Sequence, residues 1–386
     1  MSPDDYTVGW VCALDIELAP AQEMLDEEHE KLRRTTHDQN IYTLGRIGKH
    51  NVVIATLPSG KTGIGAAAVV TSRMRQTFRF IEFWLLVGIG GGVPSRKADI
   101  RLGDVAVSRP EGIHPGVVQW DFGKTNPNGF ERTGALNNPS LILLSGLTHI
   151  RSRYDRGGSK LMEYVANFPG PKYTRPDTED ILFKSEYNHV GEIGSECTEC
   201  DQQNRVNRRR RRTNEAAVHY GTIASGNEVV KSPVLRDAIS ASLGNVVCIE
   251  MEAAGLMNDF PCLVIRGISD YADSHKNDDW QRYAALTAAA YAKDLLTEIT
   301  LPETLKPVLK SEPKPKPKPV TTASSSGFSP YSRALPVGTM DIMQMTAGTP
   351  ATAAVIWVIR QGIAPVDPAI PALDVENVVI GQKRAG

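Results

Sequence analysis

The stretch Val246–Asp273, V-V-C-I-E-M-E-A-A-G-L-M-N-D-F-P-C-L-V-I-R-G-I-S-D-Y-A-D, decides the fold. Val246–Ile249 and Cys262–Ile268 are short, β-branched apolar runs that read as buried strands. Glu250–Met257 between them consists of good helix formers, so the segment has the strand, helix, strand order of a parallel α/β sheet. Ligands of such sheets gather beyond the carboxyl ends of the strands, where Glu250, Glu252, Ser269 and Asp270 fall. Carboxylates in so apolar a setting are costly unless they are paired, hydrogen-bonded or neutral. An aspartic acid held neutral by burial can protonate a leaving group, while a second, ionised carboxylate holds hydroxyls. The purely structural alternative has Glu250 and Glu252 capping the helix and Asp270 paired with Arg266.

Upstream, Tyr6–Leu14 reads as a strand and D-I-E-L-A-P-A-Q-E-M-L as a helix with an acidic first turn that contains Glu17. Ile41–Ile47 and Asn51–Leu57, joined by G-K-H-N, predict a hairpin. The glycine-rich loop Pro58–Gly65 opens a helix at Ala66–Val70 and could bring backbone N–H groups to a bound oxyanion or hydroxyl. Glu82–Val87 is a strand leading into G-I-G-G-G-V-P, Gly88–Pro94, whose spacing is not that of a dinucleotide fingerprint. Leu102–Ser108 is another strand, and Glu111–Pro176 is loop-rich with a helical run at Ser140–Tyr154. Ala217–Val230, which contains V-H-Y-G-T-I-A-S-G-N-E-V-V, alternates and then turns at S-G-N.

Taken together, E-M-E-A-A-G (Glu250–Gly255), R-G-I-S-D-Y-A-D (Arg266–Asp273), A-L-D-I-E-L (Ala13–Leu18) and the glycine turns resemble one family. It is the purine nucleoside phosphorylase and methylthioadenosine/S-adenosylhomocysteine nucleosidase superfamily, most closely its fungal branch. The resemblance extends over about residues 6 to 300. It implies an α/β fold with a central mixed, largely parallel twisted sheet flanked by helices. It also implies cleavage of the N-glycosidic bond of a purine, adenine-type nucleoside. By position, Asp270 matches the general acid that protonates the purine at N7, with Ser269 orienting it. Glu252 matches the acceptor of the ribose hydroxyls, Met251 packs beneath the sugar, and Glu17 matches the carboxylate that activates water. Gly90 and Gly91 correspond to glycines that pass beside the ribose, and the backbone of Val230 to the group that meets the purine edge. Val229 stands where an aromatic often stacks on the base, which leaves Trp280 as the candidate for stacking or, equally, as core.

Two departures bear on the nucleophile. The phosphorylase branch carries an arginine just before the glycine turn, where this chain has Leu86 and Val87, and a serine or threonine is common where Ile89 stands. A phosphate dianion without a cation is unfavourable in a closed apolar site. Water is therefore expected in preference to phosphate, unless Arg46, Lys61 or a neighbouring chain supplies the charge. The alternatives are phosphorolysis to ribose-1-phosphate, a nucleoside or nucleotide sensor, and cleavage of 5′-phosphorylated substrates. The resemblance further implies a homo-oligomer and requires no cofactor.

The composition sets outer limits. The 386 residues carry 43 basic and 44 acidic side chains, a balance that gives no electrostatic case for nucleic acid or an anionic membrane. Five dispersed cysteines do not form a disulfide framework and fit a reducing compartment, cytoplasmic with the nucleus as alternative. No secretory signal opens the sequence and no apolar run reaches spanning length, so a soluble chain is expected. Cys197 and Cys200 form a C-x-x-C, with His189 and His219 as the nearby imidazoles. A lone pair of this kind is half a metal site, and the expected reading is a surface insertion without metal. Arg208–Arg212 reads as a solvated loop. Gln281–Ile299 reads as an amphipathic helix at the edge of a domain spanning 1–301. Residues 302–339 form a Pro/Lys/Ser-rich linker, and 340–386 a short tail too small for its own core.

Overall fold

The computed structural model describes residues 1–300 except Arg34, Thr35 and Ile193. The linker and tail therefore lie outside the described residues. The strands are β1 (Val8–Cys12), β2 (Glu27–Glu28), β3 (Tyr42–Ile47), β4 (His50–Thr56), β5 (Phe83–Gly92), β6 (Val105–Ser108), β7 (Val117–Gln119), β8 (Gly123–Asn126), β9 (Gly129–Arg132), β10 (Val218–Ser225), β11 (Val246–Glu250) and β12 (Cys262–Asp270). The helices are α1 (Asp15–Glu23), α2 (Ile64–Thr77), α3 (Leu141–Asp155), α4 (Leu161–Ala166), α5 (Pro233–Ser242) and α6 (Gln281–Leu296).

Ten strands form one sheet in the order β11-β10-β6-β12-β5-β1-β4-β3-β2, with β7 beside β10 and a small β8–β9 hairpin apart. Parallel pairing dominates the centre, where β5 lies between β1 and β12. The β3–β4 hairpin and the β6–β12 pair are antiparallel, so the sheet is mixed and largely parallel. The expected strand runs and the hairpin are present, and Gly48 takes a positive φ of 57° in the hairpin turn.

The glycines of β5 let the sheet close upon itself. The sequence reading ended this strand at Val87, yet pairing with β12 continues through Gly88, Gly90 and Gly91. Gly91 and Gly92 also pair antiparallel with Ile249 and Cys248 of β11, which joins the two ends of the path β11-β10-β6-β12-β5. A side chain at Gly90 would stand 2.5 Å from Cys248 Sγ, so the close approach of these strands requires a residue without a Cβ.

Three local expectations are corrected. Glu250–Met257 is not an α-helix but a 3₁₀ turn at Ala253–Gly255. The Glu250 carboxylate folds back onto the N–H groups of Glu252 and Ala253, and the N–H of Ala254 is taken by Ser225 Oγ at 2.9 Å. Gly255 also packs against the backbone of Ile64, and these tertiary partners outweigh helix propensity. Second, α6 is not an amphipathic edge helix, because 13 of its 16 residues are buried. It lies along β12 and β5 with α1, α3 and α4 packed around it, and its alanines allow that approach. Third, the arginine run is not simply solvated. Arg208 donates to Tyr271 Oη at 2.8 Å and pairs with Asp180, while Arg211 pairs with the buried Asp104 at 2.6 Å. Burial pushes the Asp104 carboxyl up, but hydrogen bonds from His219 and Arg211 outweigh it and hold the group below the usual range.

Among the described residues no helix is long and apolar enough to cross a membrane. Gly267 lets α6 approach β12, since a Cβ there would fall 1.8 Å from the carbonyl oxygen of Ala284. Gly267→Ala should therefore overpack this contact and cost about 1–3 kcal/mol or more, read as a lower urea midpoint with an unchanged m-value.

Candidate active site

The carboxyl ends of β1, β5, β11 and β12 open onto one cavity of about 200 Å³. Its walls include Glu17, Gly90, Gly91, Val230, Met251, Glu252, Ser269 and Asp270, which brings together all but one of the residues singled out in the sequence. The exception is Trp280. It is only 2% exposed, packs against Tyr283, and lines an adjoining cavity of about 320 Å³ that also touches Ser269 and Asp270. The guanidinium of Arg175 lies 5.0 Å from its ring. Val229, by contrast, is 55% exposed.

Arg266 does not make the pair with Asp270 that the purely structural alternative gave it. Its Nη2 donates to Glu250 and, at 3.1 Å, to Glu252, and its Nη1 donates to the Ile89 carbonyl at 3.2 Å. The side chain is 1% exposed. The sequence places Arg266 within the buried strand β12. The partner could not be read, because Glu250 and Glu252 meet it only across the closed sheet.

Glu17 reaches the cavity from the first turn of α1. One oxygen accepts from the N–H groups of Ala13 at 2.6 Å and Leu14 at 2.9 Å, and the other from Ile89 N–H at 2.8 Å. A Cβ at Gly88 would lie 2.3 Å from this carboxylate, so the glycine makes room for it. Burial pushes the Glu17 carboxyl above its usual range against the opposing pull of Arg266 and the three N–H groups. Glu252 accepts from Gly63 N–H at 3.1 Å, at the start of α2. Burial also raises its carboxyl, and the neighbouring Glu250 and Glu17 charges add to the effect while Arg266 opposes it.

Ser269 and Asp270 owe their placement to an irregularity. Ile268 pairs with Gly90 and Asp270 with Gly91, so Ser269 is an extra residue in a β-bulge, and both side chains can turn toward the cavity. Asp270 Oδ2 accepts from Ser269 Oγ at 2.8 Å and pairs with Lys276, while Oδ1 accepts from Ala272 N–H at 2.9 Å. The buried acid expected from the sequence thus lies against a lysine side chain. Lys276 was missed because it sits six residues downstream, in a loop with no periodic pattern.

The charges lining the cavity are Glu17, Glu228, Glu250, Glu252 and Asp270 against Arg266 and Lys276, a net negative set. Arg46 is instead exposed on the β3–β4 hairpin and paired with Glu27 at 2.9 Å, and Lys61 is exposed in the loop before α2. Neither supplies the cation considered for a phosphate, because neither lines the cavity.

The Phosphorylase superfamily profile matches residues 7–300. The chain belongs to the Phosphorylase superfamily. It is 45% identical over 311 residues to a "Nucleotide-binding leucine-rich repeat (NLR)-like protein" of Hyaloscypha variabilis, an alignment covering 80% of this chain and 30% of that protein. The chain thus spans less than a third of that relative's length. It is 25% identical over 296 residues to a 5′-methylthioadenosine/S-adenosylhomocysteine nucleosidase of Mycobacterium bovis, covering 75% of this chain and 95% of the relative. The fold is shared with the corresponding nucleosidase of Helicobacter pylori, with a TM-score of 0.50, 19% identity, and coverage of 76% of this chain and 99% of the other.

Replacing Arg266 by methionine should strand two buried carboxylates. A loss of about 3–5 kcal/mol is expected in denaturant unfolding, partly restored when Glu250→Gln is added.

Proposed function

We propose that the protein cleaves the N-glycosidic bond of purine, adenine-type nucleosides, with water as the nucleophile. The observation that carries this reading is a single cavity lined by Glu17, Glu252, Ser269 and Asp270. Glycosidic cleavage passes through an oxocarbenium-like state, which anionic surroundings favour. In this reading Glu252, anchored by Gly63 N–H and Arg266, holds the ribose hydroxyls above Met251. Glu17 positions and deprotonates the water. Asp270, steadied by Ser269, delivers a proton to purine N7 and regains one from the Lys276 ammonium, which is reprotonated from solvent. The backbone at Val230 meets the base, and Gly90 and Gly91 leave room beside the sugar.

Hydrolysis is favoured over phosphorolysis by charge. A phosphate dianion entering a cavity lined by five carboxylates and two cations would meet net repulsion, and Arg266 already has two carboxylate partners. The same argument disfavours substrates that carry phosphate deep in the pocket. The reading includes a catalytic domain over 1–301 with an appended linker and tail, and a homo-oligomer whose order light scattering would give.

Asp270→Asn should fold normally and lower the rate of free-base release by about 10²-fold or more. Turnover equal to the parent would remove the acid assignment. Product analysis with and without phosphate separates the two reactions: free ribose in both is expected, and ribose-1-phosphate would overturn hydrolysis. The kcat/KM profile should fall on its acid side as the raised Glu17 carboxyl is protonated and can no longer accept a proton from water, and a profile flat to low pH would exclude Glu17 as base.

The NLR-like relative favours a second reading, a nucleoside sensor within a signalling protein. Tight adenosine binding without product over long incubation would select it over the enzyme.

A further inference from the structure

The C-x-x-C motif is half a site only in the sequence. In the fold, Cys197, Cys200, His189 and His275 bring one ligand atom each to within 4.8 Å of one another. His219, the expected second imidazole, is elsewhere, bonded to Asp104 at 2.8 Å. His275 comes instead from the loop after β12, 75 residues beyond Cys200.

We propose that these four side chains bind one Zn²⁺ and that the ion clamps the Ser185–Cys200 segment to the loop that follows Asp270. The first argument is metric. His189 Nδ1 lies 3.4 Å from Cys200 Sγ and 3.7 Å from Cys197 Sγ, and His275 Nδ1 lies 3.6 Å from Cys197 Sγ and 3.8 Å from Cys200 Sγ. A tetrahedron built on Zn–S and Zn–N bonds of ordinary length has S···N edges of about 3.6 Å. The four edges in the structure cluster around that value.

The second argument is the state of the rings. His189 Nε2 faces the Glu192 carbonyl at 3.1 Å and His275 Nε2 faces the Tyr187 carbonyl at 3.1 Å. A carbonyl can only accept, so each ring carries its proton on Nε2 and turns the Nδ1 lone pair inward, the tautomer of a metal-bound histidine with an outer carbonyl partner. The N–H of Val190 points at Cys200 Sγ at 3.5 Å. Phe183 stacks on His275 with centroids 4.0 Å apart and shields the cluster from one side.

Two thiolates and two imidazoles in a tetrahedron suit zinc among the divalent ions. With four protein ligands no corner is left for water or substrate, so the role is structural. Its position gives that role a consequence. His275 is adjacent to Lys276, the partner of Asp270, and His189 N–H donates to Ser274 Oγ at 3.0 Å. The cavity containing Trp280 is walled by Cys197 and His275 as well as by Ser269 and Asp270. The ion would thus fix one wall of the active site from a distance.

The test does not depend on the reaction. The full chain, expressed with added zinc and purified without chelator, should contain one zinc per chain by elemental mass spectrometry. Exchange for Co²⁺ should give the intense visible d–d bands of a tetrahedral site and a near-ultraviolet thiolate-to-cobalt band. The Cys197→Ser/Cys200→Ser double variant should lose the metal, and His219→Ala should retain it. Because the double variant could fail to fold, the cobalt spectrum of the unaltered chain stands as an independent readout. Less than about one-tenth of a zinc per chain, weak octahedral cobalt bands, or a Cys197–Cys200 disulfide in zinc-supplemented protein would each overturn the proposal.

Discussion

The structure turns on a single buried guanidinium. Arg266 is enclosed where the sheet closes, with Glu250 and Glu252 on its Nη2 and the Ile89 carbonyl on its Nη1. Placing two carboxylates at the end of the buried strand β11 would be prohibitive without it, since an unpaired buried charge costs several kcal/mol. The arginine pays for little net stability by itself, because its own desolvation offsets much of the attraction. What it secures is position: it makes the strand ends of β5, β11 and β12 compatible in one small volume.

From that constraint the neighbouring features follow. Glycines at 88, 90 and 91 are needed because carboxylate, thiol and aspartate crowd against the β5 backbone. The bulge at Ser269 lets consecutive residues face one cavity, which a regular strand would send to opposite faces. The raised carboxyls of Glu17 and Glu252 reflect the same crowding, with burial as the leading cause in both. A site so arranged accommodates a cationic transition state more readily than an anionic nucleophile, which is why the charge inventory bears on the reaction.

The loop after β12 connects this centre to the rest of the molecule. Within six residues it supplies Tyr271, bonded to Arg208; Asp273, close to Arg236; His275, beside the two cysteines; and Lys276, on Asp270. The insertion that holds Cys197 and Cys200, and the arginine run beyond it, are therefore tied to the wall of the cavity. Both stretches look like surface loops in the sequence because each of their partners is distant along the chain.

The sequence by itself determined the central strands and the family, because apolar runs, glycine turns and the E-M-E-A-A-G and R-G-I-S-D-Y-A-D motifs are local signals, and the mixed, largely parallel sheet followed from the family resemblance; the short strands within Glu111–Pro176 carried no such signal. It also nominated Glu17, Glu252, Ser269 and Asp270, which the fold gathers into one cavity. It could not determine what each charged group pairs with. Arg266 chose Glu250 and Glu252 over Asp270, Lys276 took Asp270, and His275 rather than His219 joined the cysteines. Pairing of this kind is a matter of distance across the closed sheet and between loops, and the energy of a buried charge depends on neighbours that only the folded chain brings near.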